Sequence, residues 1–338
     1  MSEAAVKERV AADRDTLVEV AGLSRVFDVS KPWLNRVIER SERMFLKAVT
    51  DVDFTIGRGE TFALVGESGS GKSTVAKMVV GLLGATAGDI HIDGIHMTGP
   101  VGRSDMRKLR RRIQMIFQDP YASLNPRWRV ERIIAEPIHA FGLATSNRDV
   151  VKKVGELLEV VGLDPRDGRK FPHEFSGGQR QRICIARSLA SKPEFIVCDE
   201  PTSALDVSVQ AQILNLMSDL QDEFGLTYLF ISHDLAVVKH VSSRIGVMYL
   251  GRLVEVADTE QLFSAPKHPY TRMLLDAVPD LGMSGRKRTP VSGEIPNPIT
   301  PPTGCAFHPR CPLAVDRCKA ETPKPREVDG ALVACHMA

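Results

Sequence analysis

No run in the 338-residue chain approaches the roughly 18 consecutive apolar residues that a membrane-spanning helix needs. The opening segment, Met1 to Asp15, is polar and charged and lacks the apolar stretch of a signal peptide. These two absences predict a chain that stays in the cytoplasm. An excess of one charge is also missing. Lys plus Arg number 44 against 42 acidic residues, a formal balance of +2, which gives no field for nucleic acid. No internal repeat is visible. Cysteine is scarce through most of the chain: Cys184 and Cys198 sit within apolar helix and strand patterns and read as small core residues. The other four fall in the last 34 residues, and a reducing compartment argues against pairing them as disulfides.

What is present suits a globular protein with a core, 43% hydrophobic and 25% charged, long enough for one large domain and an appendage. Gly66-Glu67-Ser68-Gly69-Ser70-Gly71-Lys72-Ser73 is a complete G-x-x-x-x-G-K-S phosphate loop. It follows the apolar run Phe62 to Val65 and precedes a helix-compatible segment from Thr74 to Leu83. The glycines let backbone N–H groups cradle phosphate oxygens, Lys72 sets a charge against them, and Ser73 offers a hydroxyl to Mg²⁺.

Strands are expected over Leu17–Phe27, Phe45–Ile56, Ile113–Gln118, Phe195–Cys198 and Leu226–Ile231, with a short strand pair turning at Asp93-Gly94. Helices are expected from Arg107, near Val130–Phe141, Arg148–Val161 and over Val207–Phe224. The polar segment Asp28 to Arg43, containing Trp33, reads as a long hairpin connection. The basic run Arg107 to Arg112 reads as a solvated helix face. Alternating strands and helices imply a largely parallel sheet covered on both faces. Between Pro279 and Pro312 eight prolines predict an extended, irregular segment and a domain boundary.

The strand Phe195–Cys198 ends in Asp199-Glu200. Asp199 is placed to hold Mg²⁺ through its water shell, and Glu200 to act as general base toward water. Such a pair without a phosphate loop is usually a solvated strand end. Phe175-Ser176-Gly177-Gly178-Gln179 opens a helical run. It can present N–H groups to an anion, or serve as an ordinary N-cap through Ser176.

Together these motifs resemble the nucleotide-binding subunit of an ABC transporter, over roughly Leu17 to Pro279. Phe175–Gln179 is similar to that family's Leu-Ser-Gly-Gly-Gln signature, with Phe for Leu. Gln118 matches the Q-loop, Ser203-Ala204-Leu205-Asp206 the D-loop, and His233 the switch histidine. Phe27 matches the aromatic that stacks on adenine.

The resemblance implies an α/β fold. It would have a RecA-like P-loop core, an antiparallel β subdomain and a helical subdomain at about 119–190. The implied organisation is a flexible 1–15, a nucleotide-binding domain at 16–278, and an irregular Cys/Pro-rich extension at 279–338. Gly66 to Thr74, Gln118, Asp199, Glu200 and His233 would act on one ATP and Mg²⁺, with Gln118, Glu200 and His233 catalytic and Ser73, Gln118 and Asp199 toward the metal. Ser176, Gly177 and Gly178 would complete a partner's site, and Gln179 and Asp206 are counted among the nucleotide-binding residues.

Pro266-Lys267-His268-Pro269-Tyr270-Thr271 and Gly304 to Pro312 resemble the peptide and nickel import ATPases, and the segment after Phe27 their "F" member. That implies a second, related ATPase subunit, two transmembrane permeases, an extracytoplasmic binding protein reached indirectly, and a place on the cytoplasmic face of the membrane. Peptides lead as cargo, with nickel or another small solute as alternative. A DNA-repair or translation ATPase with the same head is a further alternative. Cys305, Cys311, Cys318 and Cys335 could hold Zn²⁺ or a 4Fe–4S cluster, or be free thiols. The spacing has no zinc knuckle, and the subfamily resemblance implies the cluster.

Overall fold

The computed structural model describes residues 16–39, 42–99, 102–277 and 293–338. The expected flexible N-terminus and the 278/279 boundary lie outside the described residues.

An antiparallel sheet is built from β1 (Thr16–Asp28), β2 (Phe45–Gly57), β4 (Ala87–Ile92) and β5 (Ile95–His96), in the order β2-β1-β4-β5. In β2 the buried residues Val49, Val52, Phe54 and Ile56 are interleaved with exposed Asp51, Asp53 and Thr55, as a strand with one covered face requires. Asp93 and Gly94 turn the β4–β5 hairpin with φ of 51° and 73°, the left-handed pair that a two-residue hairpin favours. The Asp28–Arg43 connection does close a β1–β2 hairpin, with Val29 N–H donating to the Met44 carbonyl at 3.0 Å. It also carries a short helix, Trp33–Glu39, that the polar composition did not signal.

The second sheet has eight strands in the order β11-β12-β10-β9-β3-β8-β7-β6. β3 (Thr61–Val65), β6 (Ile113–Ile116), β7 (Phe195–Asp199), β8 (Thr227–Ile231) and β9 (Arg244–Tyr249) run parallel. β3, β7 and β8 are buried at every position, which is why they read as unbroken apolar runs. β10 (Arg252–Asp258), β12 (Ala331–Val333) and β11 (Arg326–Val328) continue the sheet antiparallel.

The helical subdomain packs Val130–Phe141, Asn147–Val160 and Gly177–Leu189 together. Ile134, Ile138, Val150, Val154, Leu158 and Ile183 recur at helical spacing and fill the space between them. Ser146 Oγ accepts from Asp149 N at 3.2 Å to start the second helix, and Gly142, at φ 67°, ends the first.

Two expectations change. The basic helix, Arg103–Arg112, is solvated along Lys108 and Arg110 but docks through its last turn. Arg112 bonds both Glu194, at 2.8 and 2.7 Å, and Asp93, at 2.7 Å, because it is half-buried where two acidic side chains converge. The tail is not wholly irregular. Its strands β11 and β12 extend the main sheet, and Phe307 is buried beside Tyr249 and Tyr270, with ring centroids 5.3 Å away in each case. A segment with few apolar residues gains its burial by leaning on a larger core, and one such side chain contributes about 1.5–3 kcal/mol.

Candidate functional site

The parallel strands deliver their functional residues to one edge. β3 ends at the phosphate loop, β7 at Asp199-Glu200 and β8 at Ser232-His233, and ligands in open α/β sheets bind beyond the strand C-termini. A cleft of about 610 Å³ lies there. Phe27, Ser68, Gly69, Gly71, Lys72, Ser73, Thr74, Gln118, Glu200 and His233 all line it.

The loop's conformation follows from its glycines. Gly66 and Gly71 have φ of 145° and 105°, and a Cβ on them would come within 2.2 Å of the Met248 carbonyl and 2.4 Å of the Ala48 carbonyl. No other residue type fits either position. Lys72 is buried, and its Nζ donates to the carbonyls of Gly66 at 2.7 Å and Glu67 at 3.0 Å and to Ser70 Oγ at 3.4 Å. Burial lowers its pKa, opposed by Glu200, Asp199 and Glu67, so the ammonium has lost water that an incoming anion can replace.

Ser73 Oγ donates to Asp199 Oδ1 at 2.8 Å. Burial raises the Asp199 pKa, against the Ser73 hydrogen bond and the charges of Lys77 and Lys72. A hydroxyl and a carboxylate are hard oxygen donors suited to Mg²⁺, whose remaining ligands come from water and phosphate. The residues present therefore fit the metal.

Glu200 is the hub of the cleft. Its Oε2 accepts from Gln118 Nε2 at 3.0 Å and lies 3.2 Å from His233 Nδ1. Its backbone sits at φ 50°, an uncommon conformation for a non-glycine residue, held by its N–H donating to the Ile231 carbonyl at 3.0 Å. The Glu200 carboxylate is mostly covered, whereas His233 is 59% exposed and open to whatever enters.

The signature residues lie elsewhere. Ser176, Gly177, Gly178, Gln179 and Asp206 do not line the cleft. Ser176 and Gln179 form a reciprocal cap: Ser176 Oγ accepts from Gln179 N at 3.3 Å and Gln179 Oε1 accepts from Ser176 N at 3.0 Å. A Cβ on Gly178 would meet Val209 Cγ1 at 2.4 Å, so any larger residue there must displace Val209. Asp206 caps the helix Val207–Phe224, accepting from Val209 N at 2.9 Å, and that bond lowers its pKa. Ser176, Gln179 and Asp206 are all exposed.

Leu46, Lys47, Ala48, Leu250, Gly251 and the tail residue Pro298 also line the cleft and were not foreseen. Nor was the buttress behind the phosphate loop. Tyr270 Oη accepts from Glu67 N at 3.0 Å, and Arg310 clasps the Glu67 carboxylate at 2.7 and 2.9 Å. The Pro-Lys-His-Pro-Tyr motif explains the first contact. Buried Glu255 accepts from the N–H groups of Lys267 at 2.8 Å and His268 at 2.9 Å, and His268 Nδ1 caps Tyr270 N at 3.0 Å.

The four tail cysteines form no disulfide; Cys305 N–H donates to the Cys318 carbonyl at 2.8 Å. Burial pushes the Cys305 thiol up to about 11. Among the described residues, however, no three His, Cys, Asp or Glu side chains are placed to hold a metal ion. The expectation of a 4Fe–4S or zinc ligand set finds no support in this geometry. No helix among the described residues is long and apolar enough to cross a membrane.

Comparison with known proteins agrees with this geometry. The ABC transporter family matches residues 49–203, and the family described as oligopeptide/dipeptide transporter, C-terminal region, matches residues 254–318. The oligopeptide transport ATP-binding protein AppF of Bacillus subtilis (strain 168) is 46% identical over 331 residues, covering 97% of this chain and 99% of the relative. The di/tripeptide transport ATP-binding protein DppF of Pseudomonas aeruginosa (strain UCBPP-PA14) is 45% identical, covering 96% and 98%. Among solved structures, a post-hydrolysis ATP-binding cassette dimer bound to ADP and Pi superposes with a TM-score of 0.62 at 28% identity, covering 72% of this chain and 99% of that one. The cassette cbiO1 from Clostridium perfringens, part of the ABC transporter complex cbiONQ, gives 0.62 at 26% identity, covering 75% and 92%.

Proposed function

Because this chain belongs to the family of ABC transporter ATP-binding proteins and is an ATPase, we propose that it powers the import of di- or oligopeptides through a membrane transporter. The observation that carries the ATPase reading is the Gln118–Glu200–His233 cluster facing the phosphate loop across one cleft. The observation that carries the peptide reading is the match of residues 254–318 to the oligopeptide/dipeptide transporter C-terminal region.

In this reading Gly66 to Thr74 wrap the triphosphate, and Phe27 stacks on the base. Lys72 trades its carbonyl partners for phosphate oxygens. Ser73 and Asp199, with Gln118, would hold Mg²⁺, which supplies charge neutralisation when bound. Glu200 takes the proton from the attacking water, and His233 orients against the γ-phosphate. The exposure of Ser176, Gln179 and Asp206 away from the cleft supports use of the signature in trans, completing the site of a second, related ATPase subunit. ATP then favours a closed pair and hydrolysis reopens it. Two permeases would receive that motion at the cytoplasmic face of the membrane, and an extracytoplasmic binding protein would deliver cargo to them.

Nickel or another small solute is the alternative cargo, since the permeases and binding protein select it. We also retain the proposal that Cys305, Cys311, Cys318 and Cys335 bind a 4Fe–4S cluster. Four thiols outside any disulfide, all within residues 305–335, support it, and the cluster would draw them into a ligand set.

Uptake of labelled di- and tripeptides by cells expressing the whole transporter tests the function. Loss of uptake on Lys72→Ala is expected. Uptake that survives Lys72→Ala unchanged would overturn the reading.

A further inference from the structure

The phosphate loop contains a carboxylate, Glu67, one residue after its first glycine. A negative charge there opposes a triphosphate, so something must offset it. The offset comes from the far end of the chain. Arg310 donates through Nη1 and Nη2 to the two Glu67 oxygens at 2.7 and 2.9 Å, a fork-to-carboxylate pair across 243 positions of sequence. Its guanidinium side chain is only 2% exposed. It is seated 5.7 Å from the centre of the Tyr249 ring and 6.0 Å from that of Phe307, and Glu67 raises its pKa further.

The surroundings hold Arg310 to this task. Phe307 anchors the 3₁₀ turn His308–Arg310 on Tyr249 and Tyr270, and Tyr270 in turn accepts from the Glu67 N–H. The carboxylate and the backbone of one phosphate-loop residue are thus both gripped from outside the loop.

We infer that Arg310 is a positioning residue for nucleotide: it neutralises Glu67 and holds it away from the phosphates, so that the Cys-rich tail sets the ATP affinity of the loop. The inference rests on the ATPase reading. Removing one partner of a buried ion pair leaves the other charge uncompensated, and here that charge sits within the loop that wraps the triphosphate. Lys in place of Arg keeps the charge but loses the two-pronged geometry.

The test is equilibrium binding of ATP with Mg²⁺ to the full chain, with thermal unfolding recorded for each variant. Arg310→Met is expected to weaken ATP binding by about tenfold or more. Arg310→Lys should retain most of the affinity. Adding Glu67→Gln to Arg310→Met should tighten binding again, because the uncompensated charge is gone. A purely structural role for Arg310 predicts no such rescue. Equal affinity for wild type and a folded Arg310→Met would overturn the inference. So would Arg310→Lys binding as weakly as Arg310→Met, or a double variant no tighter than Arg310→Met. A wild-type chain that binds no ATP would instead overturn the ATPase reading itself.

Discussion

His233 Nδ1 and Glu200 Oε2 lie 3.2 Å apart across the mouth of the cleft, and the same carboxylate oxygen accepts from Gln118. Three strand ends that are far apart in sequence meet on one atom. In the proposed function, that atom takes the proton of the water that attacks the γ-phosphate.

Glu200→Gln keeps the shape of this hub but removes the base. Turnover should fall by about 10²–10⁴-fold while ATP binding persists. His233→Ala should also slow hydrolysis without abolishing binding. Steady-state phosphate release and ATP titration of the assembled transporter separate the two effects. Wild-type turnover in Glu200→Gln would reject its role as base, and loss of ATP binding in His233→Ala would make that residue structural.

The exposed signature predicts a shared site. A mixed dimer with one wild-type chain and one chain carrying both Lys72→Ala and Ser176→Arg should lose both sites. One chain lacks its own phosphate clamp and cannot complete its partner's. Single-turnover hydrolysis measures this, and a full-rate site surviving in the mixed dimer contradicts the geometry.

Anaerobic purification tests the tail cysteines. Bound iron and sulfide with an absorbance band near ~400 nm are expected if the thiols rearrange around a cluster. Serine replacement of Cys318 should then release the iron and destabilise the tail. Stoichiometric zinc without iron, or a folded metal-free tail, would exclude the cluster.

His268 makes stability depend on pH. Burial, with the charge of Arg272, pushes its pKa down from the ordinary 6.5 to about 3, and its Nδ1 accepts from Tyr270 N–H in the fold. The unfolded chain takes up this proton below pH 6.5 and the folded chain does not. This contribution to stability is therefore present above pH 6.5 and is lost as pH falls toward 3. Between pH 7 and 5 the loss is on the order of 2 kcal/mol. His268→Asn retains a cap acceptor and should flatten that part of the profile in denaturant titrations. An unchanged slope would show that His268 is not the group responsible.

Much of the ATP site was readable without coordinates because its geometry is local. A phosphate loop needs glycine where a Cβ would strike the Met248 and Ala48 carbonyls, and Lys and Ser next to it. Asp199 and Glu200 announce themselves by closing an apolar strand. Strand and helix periods placed most elements within a few residues. The helix Trp33–Glu39 escaped because its polar composition carries no clear period. The basic helix looked solvated because the acids that bind Arg112 come from other elements.

The sequence alone determined which residues can bind nucleotide and in what order the motifs run, since backbone sterics and side-chain chemistry over a few residues suffice for that. Only the tertiary structure decided which of them meet. The parallel order β9-β3-β8-β7 brings Glu200 and His233 together, and the seating of Phe307 on Tyr249 and Tyr270 brings Arg310 to Glu67. Contacts across tens to hundreds of positions depend on how layers pack and which buried charge lacks a partner. No local period or motif records either.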